Sequence, residues 1–274
     1  MSVEKVLILG ASGLVGKALI EELKDGFDLF GTYSSSLTNL PNEKQFQLEV
    51  QQIDKLKEIL NSIQPDIVIS CLRGEFDQQL KFHNELALEL VNTKSRVYYV
   101  STTNVFDGDF SKPHLETDIP IAESDYGKYK IDCENMLNDI LGERAMIIRI
   151  PAIWGKDSPR WKLIKESIKD HKVIDVYSNL VCNNLLDIQL SRQLRFIIEN
   201  GLKGIFHLGS VDMHTQSEFF EQILSNFGGK NDLLRDSSFQ DDSQIYYFTL
   251  TTNRNDIPDF LQCTNKEIIS YLLG

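Results

Sequence analysis

The stretch "KVLILGASGLVGKALIEEL", residues 5–23, runs from an apolar segment into a helical pattern through three glycines. "KVLIL" (5–9) reads as a buried strand, and "LVGKALIEEL" (14–23) has apolar residues at helical spacing. Between them Gly10, Gly13 and Gly16 stand at G-x-x-G-x-x-G spacing. Gly10 permits a tight turn, Gly13 lets backbone approach a pyrophosphate, and Gly16 lets the helix pack closely on a sheet. The N–H groups around Ser12, Leu14 and Val15 then point at an anion from the start of the helix. A glycine triplet alone is weak evidence, because tight turns use glycine for conformational reasons. The segments that follow give it meaning.

Strand-like and helix-like segments alternate through the first 150 residues. "DLFGTY" (28–33), "FQLEV" (46–50), "DIVIS" (66–70), "RVYYVS" (96–101) and "AMIIRI" (145–150) read as strands. "IDKLKEILNSI" (53–63), "FDQQLKFHNELALELVN" (76–92) and a segment beginning near Tyr126 read as amphipathic helices. Such alternation requires crossover connections, hence a parallel sheet covered on both faces: an α/β, doubly wound Rossmann-type fold. In that setting the glycine turn predicts dinucleotide binding. After residue 150 helices are expected at 159–171, 185–201, 216–228 and in the final "NKEIISYLLG", with a strand in "GIFHLGS" (204–210). The division expected is a dinucleotide-binding domain over 1–155 and a smaller α/β substrate-binding portion over 156–274, interleaved at the cleft. That portion is expected to close over the carboxyl edge of the sheet, where α/β proteins bind ligands.

Composition excludes several classes. The 274-residue chain is 42% hydrophobic and 25% charged, as in ordinary globular proteins. Its formal charge of −12 repels polyphosphates, so no nucleic-acid partner is expected. No apolar run approaches the roughly 20 residues that span a bilayer, and the apolar start is too short for a signal peptide. The expectation is a cytoplasmic protein with no membrane partner. Cys71, Cys133, Cys182 and Cys263 are scattered and the five histidines form no H-x-x-x-H pair, so neither zinc, other metal nor disulfide is expected.

The end of the second strand bears on which dinucleotide binds. An NAD site usually carries a carboxylate there for the ribose 2′-hydroxyl. Here the sequence is "TYSSS", with Ser34 in place of an acid and no arginine beside it. A neutral hydroxyl does not repel a 2′-phosphate, so NADP(H) is favoured over NAD(H).

"STTNVFDGD" closes the fifth strand, and "ESDYGKYKIDCEN" (123–135) places Tyr126 and Lys130 on one helical face. Together with the glycine turn, these residues resemble an extended short-chain dehydrogenase/reductase. Within that group they are most similar to dTDP-4-dehydrorhamnose reductases and related nucleotide-sugar reductases, which carry an S-T-D-Y-V-F-D-G-like run here. "QPDIVIS", Asn84, "IIRIPAIWG" and "GIFHLGS" extend the resemblance along nearly the whole chain. The resemblance implies a catalytic trio of Thr102, Tyr126 and Lys130, with Thr102 on the substrate oxygen and Lys130 on the nicotinamide ribose. The chemistry needs these types. Hydride transfer to a ketone develops negative charge on oxygen, and a positioned donor must meet it. Tyrosine has a reference pKa of about 10, and a neighbouring ammonium at Lys130 is expected to pull it toward working pH. Ser101 competes with Thr102 for the third role but is expected to bond backbone at the strand end.

The resemblance also implies an adenine contact at Glu49 and Val50, and a pyrophosphate wall at Cys71 and Leu72. Arg73, unusual at that place, either reaches a phosphate or pairs with Glu75. Thr103 and Ala152 occupy the substrate-contacting positions of the family, where an acid and an indole usually stand. Trp154, two positions further, reads as packing, as do Phe106, the "FDLF" run (27–30) and His207. A nucleotide-linked deoxysugar with a keto group is therefore the expected substrate, with a homodimer as the expected assembly. The alternatives are a nucleotide-sugar epimerase, against which "TYSSS" counts, and a catalytically silent NADP-binding regulatory subunit. Thr103-Asn104 offers no carboxylate for a 4,6-dehydratase.

Overall fold

The computed structural model describes residues 3–227 and 231–274. Its first part alternates as the pattern requires. β1 (Lys5–Leu9), α1 (Leu14–Leu23), β2 (Asp28–Tyr33) and β3 (Gln45–Gln47) come first. They lead into α2 (Ile53–Ile63), β4 (Ile67–Ser70), α3 (Phe76–Leu90) and β5 (Arg96–Thr102). A 3-10 turn at Thr103–Phe106 leads toward α4 (Asp125–Leu141), and β6 (Ala145–Ile150) follows.

Beyond it lie β7 (Ala152–Trp154), α5 (Pro159–Lys169), β8 (Ile174–Tyr177), β9 (Leu180–Cys182) and β10 (Asn184–Leu186). The chain continues through α6 (Asp187–Glu199), β11 (Ile205–His207), β12 (His214–Thr215) and α7 (Gln216–Asn226). β13 (Leu234–Ser237), β14 (Tyr246–Phe248) and α8 (Asn265–Leu273) complete it. Gly228, the last residue of the helix expected at 216–228, lies outside the described residues.

Seven strands form one parallel sheet in the order β11-β6-β5-β4-β1-β2-β3. The doubly wound architecture read from the alternation is the one observed. Its seventh strand comes from residues 205–207, so the sheet takes in chain from both sides of residue 155. Side chains alternate between two cores at a period of two. Val6 and Ile8 pack with α1, α5, α6, α7 and α8, while Leu7 and Leu9 pack with α2, α3 and α4. Each such buried aliphatic side chain contributes roughly 1.5–3 kcal/mol. The strand order reverses between β1 and β4, and the crevice opens at their carboxyl ends.

The short elements depart from expectation. β3 ends at Gln47, leaving Glu49 and Val50 in the turn beyond it. Leu185 and Leu186, expected in a helix, form β10, where they pair in parallel with Ile153 and Trp154 of β7. Tertiary pairing outweighs helical spacing there. Elsewhere helix starts obey local chemistry. Ser124 and Ser158 cap α4 and α5, and Thr215/Glu218 and Thr264/Glu267 form capping boxes on α7 and α8.

Candidate active site

The glycine turn is built for close approach. Gly10 has φ +82°, open to glycine with little strain. A Cβ on Gly16 would stand 2.4 Å from the Gly10 carbonyl oxygen and 2.6 Å from Ala11 Cα. Gly10 N–H donates to Thr32 Oγ1 at 3.0 Å and Ala11 N–H to the Thr32 carbonyl at 2.8 Å, which ties the turn to the end of β2. Thr32 was not singled out from sequence, because a buried threonine near a strand end carries no distinct signal. No side chain caps α1 and no acid occupies its first turn, so its positive end is free for an anion. Cys71 and Leu72 line the turn, with Cys71 carbonyl atoms and Leu72 Cδ2 each 3.4 Å from the position of a Gly10 Cβ. These residues fit a dinucleotide pyrophosphate.

Thr102 and Tyr126 come together through a chain of polar contacts. The Thr102 hydroxyl donates to Asn104 Oδ1 at 3.0 Å and accepts from the Asn104 N–H at 3.3 Å, capping the 3-10 turn. Asn104 Nδ2 donates to Asp107 at 3.4 Å. Asp107 in turn accepts from the N–H of Glu123 at 2.7 Å, the N–H of Ser124 at 3.1 Å, and the Ser124 hydroxyl. Ser124 then accepts from Gly127 N–H at 3.0 Å, starting α4. A Cβ at Gly127 would lie 2.3 Å from the Asn104 carbonyl oxygen, so the helix start presses directly on the turn after β5. The helix start that carries Tyr126 is thereby fixed against the turn that follows Thr102.

Lys130 is 2% exposed. Its ammonium donates to the Val100 carbonyl at 3.0 Å and lies over the Tyr99 ring, 4.4 Å from its centroid. The Tyr129 and Tyr126 centroids are at 5.4 and 6.0 Å. Burial without an ion pair pushes its pKa down to about 8. The expected tuning of Tyr126 by Lys130 takes a different form. Burial raises the phenol above its ordinary value, and the charge that opposes this is Arg73's, followed by the Thr102 hydrogen bond.

One turn beyond Lys130, Glu134 carries a buried ion pair that sequence reading missed. Glu134 and Arg149 are 3% and 2% exposed, and Arg149 donates to the carboxylate at 3.2, 3.1 and 2.6 Å. Ser101 also donates to Glu134, not to backbone as expected. Arg149 Nη1 stands 3.3 Å from His207 Nε2, while His207 Nδ1 faces the carbonyls of His114 and Thr251 at 3.0 Å each. His207 thus serves the edge strand β11 of the main sheet.

The other expected site residues divide. Arg73 forms no ion pair with Glu75, whose carboxylate accepts from Gln51 at 2.8 Å. Thr103 is buried and its hydroxyl donates to the Ile150 carbonyl at 3.3 Å, so this donor is not offered to a substrate as expected. Ala152 is half-buried at the start of β7. Trp154 is core, donating to Asn184 Oδ1 at 2.7 Å. Ser34 is exposed with its carbonyl taken by Gln47, Glu49 is exposed, and Val50 packs on the α2–α4 core.

The chain is similar to known proteins in sequence and in fold. Over 260 residues the chain is 22% identical to the probable low-salt glycan biosynthesis reductase Agl14 of Haloferax volcanii, covering 85% of this chain and 84% of that one. It is 26% identical over 255 residues to the methionine adenosyltransferase 2 subunit beta of Danio rerio, covering 81% and 74%. A dTDP-4-dehydrorhamnose reductase from Bacillus anthracis, solved in complex with NADP, superposes with a TM-score of 0.81 at 22% identity, covering 99% and 98%. Residues 75–243, from the loop before α3 to beyond β13, match the RmlD substrate binding domain. With most of its length inside that match, the chain belongs to the RmlD substrate binding domain family.

Proposed function

We propose that the protein is an NAD(P)H-dependent reductase of a keto group on a nucleotide-linked deoxysugar, with NADP(H) favoured over NAD(H). The observation that carries the reading is the start of α4, bearing Tyr126 and the buried Lys130, pressed against the turn after Thr102, together with an uncapped glycine turn. Gly10, Ser12, Gly13, Leu14, Val15 and Gly16 would hold the pyrophosphate, Cys71 and Leu72 would wall it, and Glu49 and Val50 lie where adenine is expected. Ser34, with no carboxylate beside it, supports the preference for the 2′-phosphate. When bound, the cofactor supplies the hydride.

The chain's own residues handle the oxygen. Burial keeps the Tyr126 phenol protonated in the resting state, so a proton is available for the developing alkoxide. Thr102, released from Asn104 by a hydroxyl rotation, donates a second hydrogen bond to the same oxygen. The tyrosinate left behind faces the positive charge of Arg73, with Lys130 one helical turn away. Lys130, fixed on the Val100 carbonyl, would bond the nicotinamide ribose.

The test is NADPH oxidation with a panel of 4-keto nucleotide sugars. Wild type is expected to turn over, and Tyr126→Phe to lose at least about 100-fold in kcat while NADPH binding persists. Retained turnover in Tyr126→Phe refutes the assignment. Similarity to the methionine adenosyltransferase beta subunit supports a second reading, a nucleotide-binding regulatory subunit. Tight cofactor binding with no turnover on any substrate supports that one.

A further inference from the structure

The loop from β4 to α3 carries Cys71 and Leu72, whose atoms line the Gly10 turn. Two buried side chains one turn apart on α3 pin that loop at both ends. His83 Nε2 meets Ser70 Oγ at 2.8 Å where β4 ends, and His83 Nδ1 faces the Gln79 carbonyl at 2.7 Å. At the far end Gln79 Nε2 donates to the Gly74 carbonyl at 2.8 Å. Gly74 has φ +104°, a conformation that residues with a side chain rarely adopt, so Gln79 holds the peptide on which the loop turns into α3. Gln79 also reaches the other way. Its Oε1 accepts from the Tyr129 hydroxyl at 2.6 Å, across 50 residues of sequence. The Gly74 carbonyl can only accept, which fixes the amide orientation and makes Tyr129 the donor. Tyr129 immediately precedes Lys130 on α4, and the Phe76 ring at the start of α3 stacks on it at 5.3 Å and 10°. The same ring lies against Tyr126 at 5.6 Å. One buried amide and one ring therefore join the loop beside the glycine turn to the helix that carries Tyr126 and Lys130.

We propose that Gln79 is a positioning residue whose amide couples the β4–α3 loop to α4, holding the wall of the dinucleotide site and the Tyr126 phenol in one register. The role of the phenol rests on the reductase reading; the junction itself rests on the two hydrogen bonds and the ring stack. Uncoupled, the wall shifts relative to the phenol, so dinucleotide affinity and proton delivery fail together.

Calorimetric titration with NADP⁺, and with NAD⁺ in parallel, tests the junction without turnover. Gln79→Leu removes both bonds and is expected to weaken binding by about fivefold. Gln79→Glu separates the two arms. Its protonated carboxyl can donate to Gly74 and accept from Tyr129, whereas its carboxylate keeps Tyr129 and repels the Gly74 carbonyl. Burial raises the pKa of such a carboxyl. Affinity relative to wild type should therefore be near normal at about pH 5.5 and fall toward that of Gln79→Leu by about pH 8.5. Tyr129→Phe breaks the α4 arm alone and keeps the stacked ring. Adding it to Gln79→Leu should cost little more, because both remove one connection. A side chain that only stabilised the fold would lower the melting temperature and the calorimetric stoichiometry, leaving the affinity of the folded protein unchanged. Wild-type affinity in Gln79→Leu, or a Gln79→Glu affinity that does not recover on acidification, overturns the proposal.

Kinetics with a 4-keto nucleotide sugar reach the phenol. At saturating NADPH, Gln79→Leu should lower kcat by about tenfold or more with the KM for the sugar unchanged, and wild-type kcat overturns the proposal. If no sugar turns over yet dinucleotide affinity follows the pattern above, the junction stands and the reductase reading falls. Absence of dinucleotide binding to the wild type overturns both.

Discussion

Lys130→Met should make the protein more stable while removing the proposed reductase activity. The wild-type ammonium is 2% exposed and has one carbonyl and three tyrosine rings for company, with no carboxylate bonded to it. Burial lowers its pKa from 10.5 to about 8. That difference corresponds to about 3 kcal/mol acting against the charged form in the folded state. Methionine fills similar space without the charge, so Lys130→Met is expected to gain up to this amount at pH 7. For a chain of this size the melting temperature should rise by roughly 5 °C or more.

The pH dependence identifies the cause. Below pH 8 the wild-type lysine is charged in both folded and unfolded chains, and its penalty is complete. Between pH 8 and 10.5 the folded lysine is neutral while the unfolded one keeps its proton, so wild-type stability recovers relative to the variant. Scanning calorimetry from pH 6 to 10 should show the gap between the two proteins closing across this range. Equal melting temperatures at pH 7, or a gap that ignores pH, would refute the claim that desolvation governs this lysine.

Glu134→Ala should destabilise the fold by about 3–5 kcal/mol, because Arg149 is left buried without its carboxylate. Urea unfolding measures this, and a change under about 1 kcal/mol would show the pair to be dispensable. Replacing both partners with Glu134→Leu and Arg149→Met should recover most of the loss. Gly127→Ala should separate the start of α4 from the 3-10 turn after β5, costing about 1–3 kcal/mol and lowering kcat by moving Tyr126 from Thr102. Wild-type kcat in that variant would show that the joint tolerates slack.

The sheet and the glycine turn were legible because they rest on local signals. Five-residue apolar runs, helical spacing and the Gly10–Gly16 turn each act within about a dozen residues. Tyr126 and Lys130 share a helical face and were readable for the same reason. What sequence did not disclose depends on distant partners. Leu185 looks helical until Ile153 pairs with it, and the β8–β13 ladder joins Ile174 to Leu234. The buried carboxylate of Glu134 looks like one more acid on an acidic chain until Arg149 reaches it from β6. Arg73 has the opposite history: an odd residue in sequence, it carries the charge that opposes the raised pKa of the Tyr126 phenol.

The late arrival of β11 bears on how the polypeptide is made. All six residues of β6, "AMIIRI", are buried in the finished fold, and β11 lies along their outer flank. During synthesis that flank stays without its neighbour until residues 205–207 have left the ribosome. A nascent chain from which residues 145–150 have emerged and residues 205–207 have not therefore displays an apolar strand edge with unpaired amides, open to chaperones and to other nascent chains. Translation speed through the intervening segment thus becomes a determinant of yield.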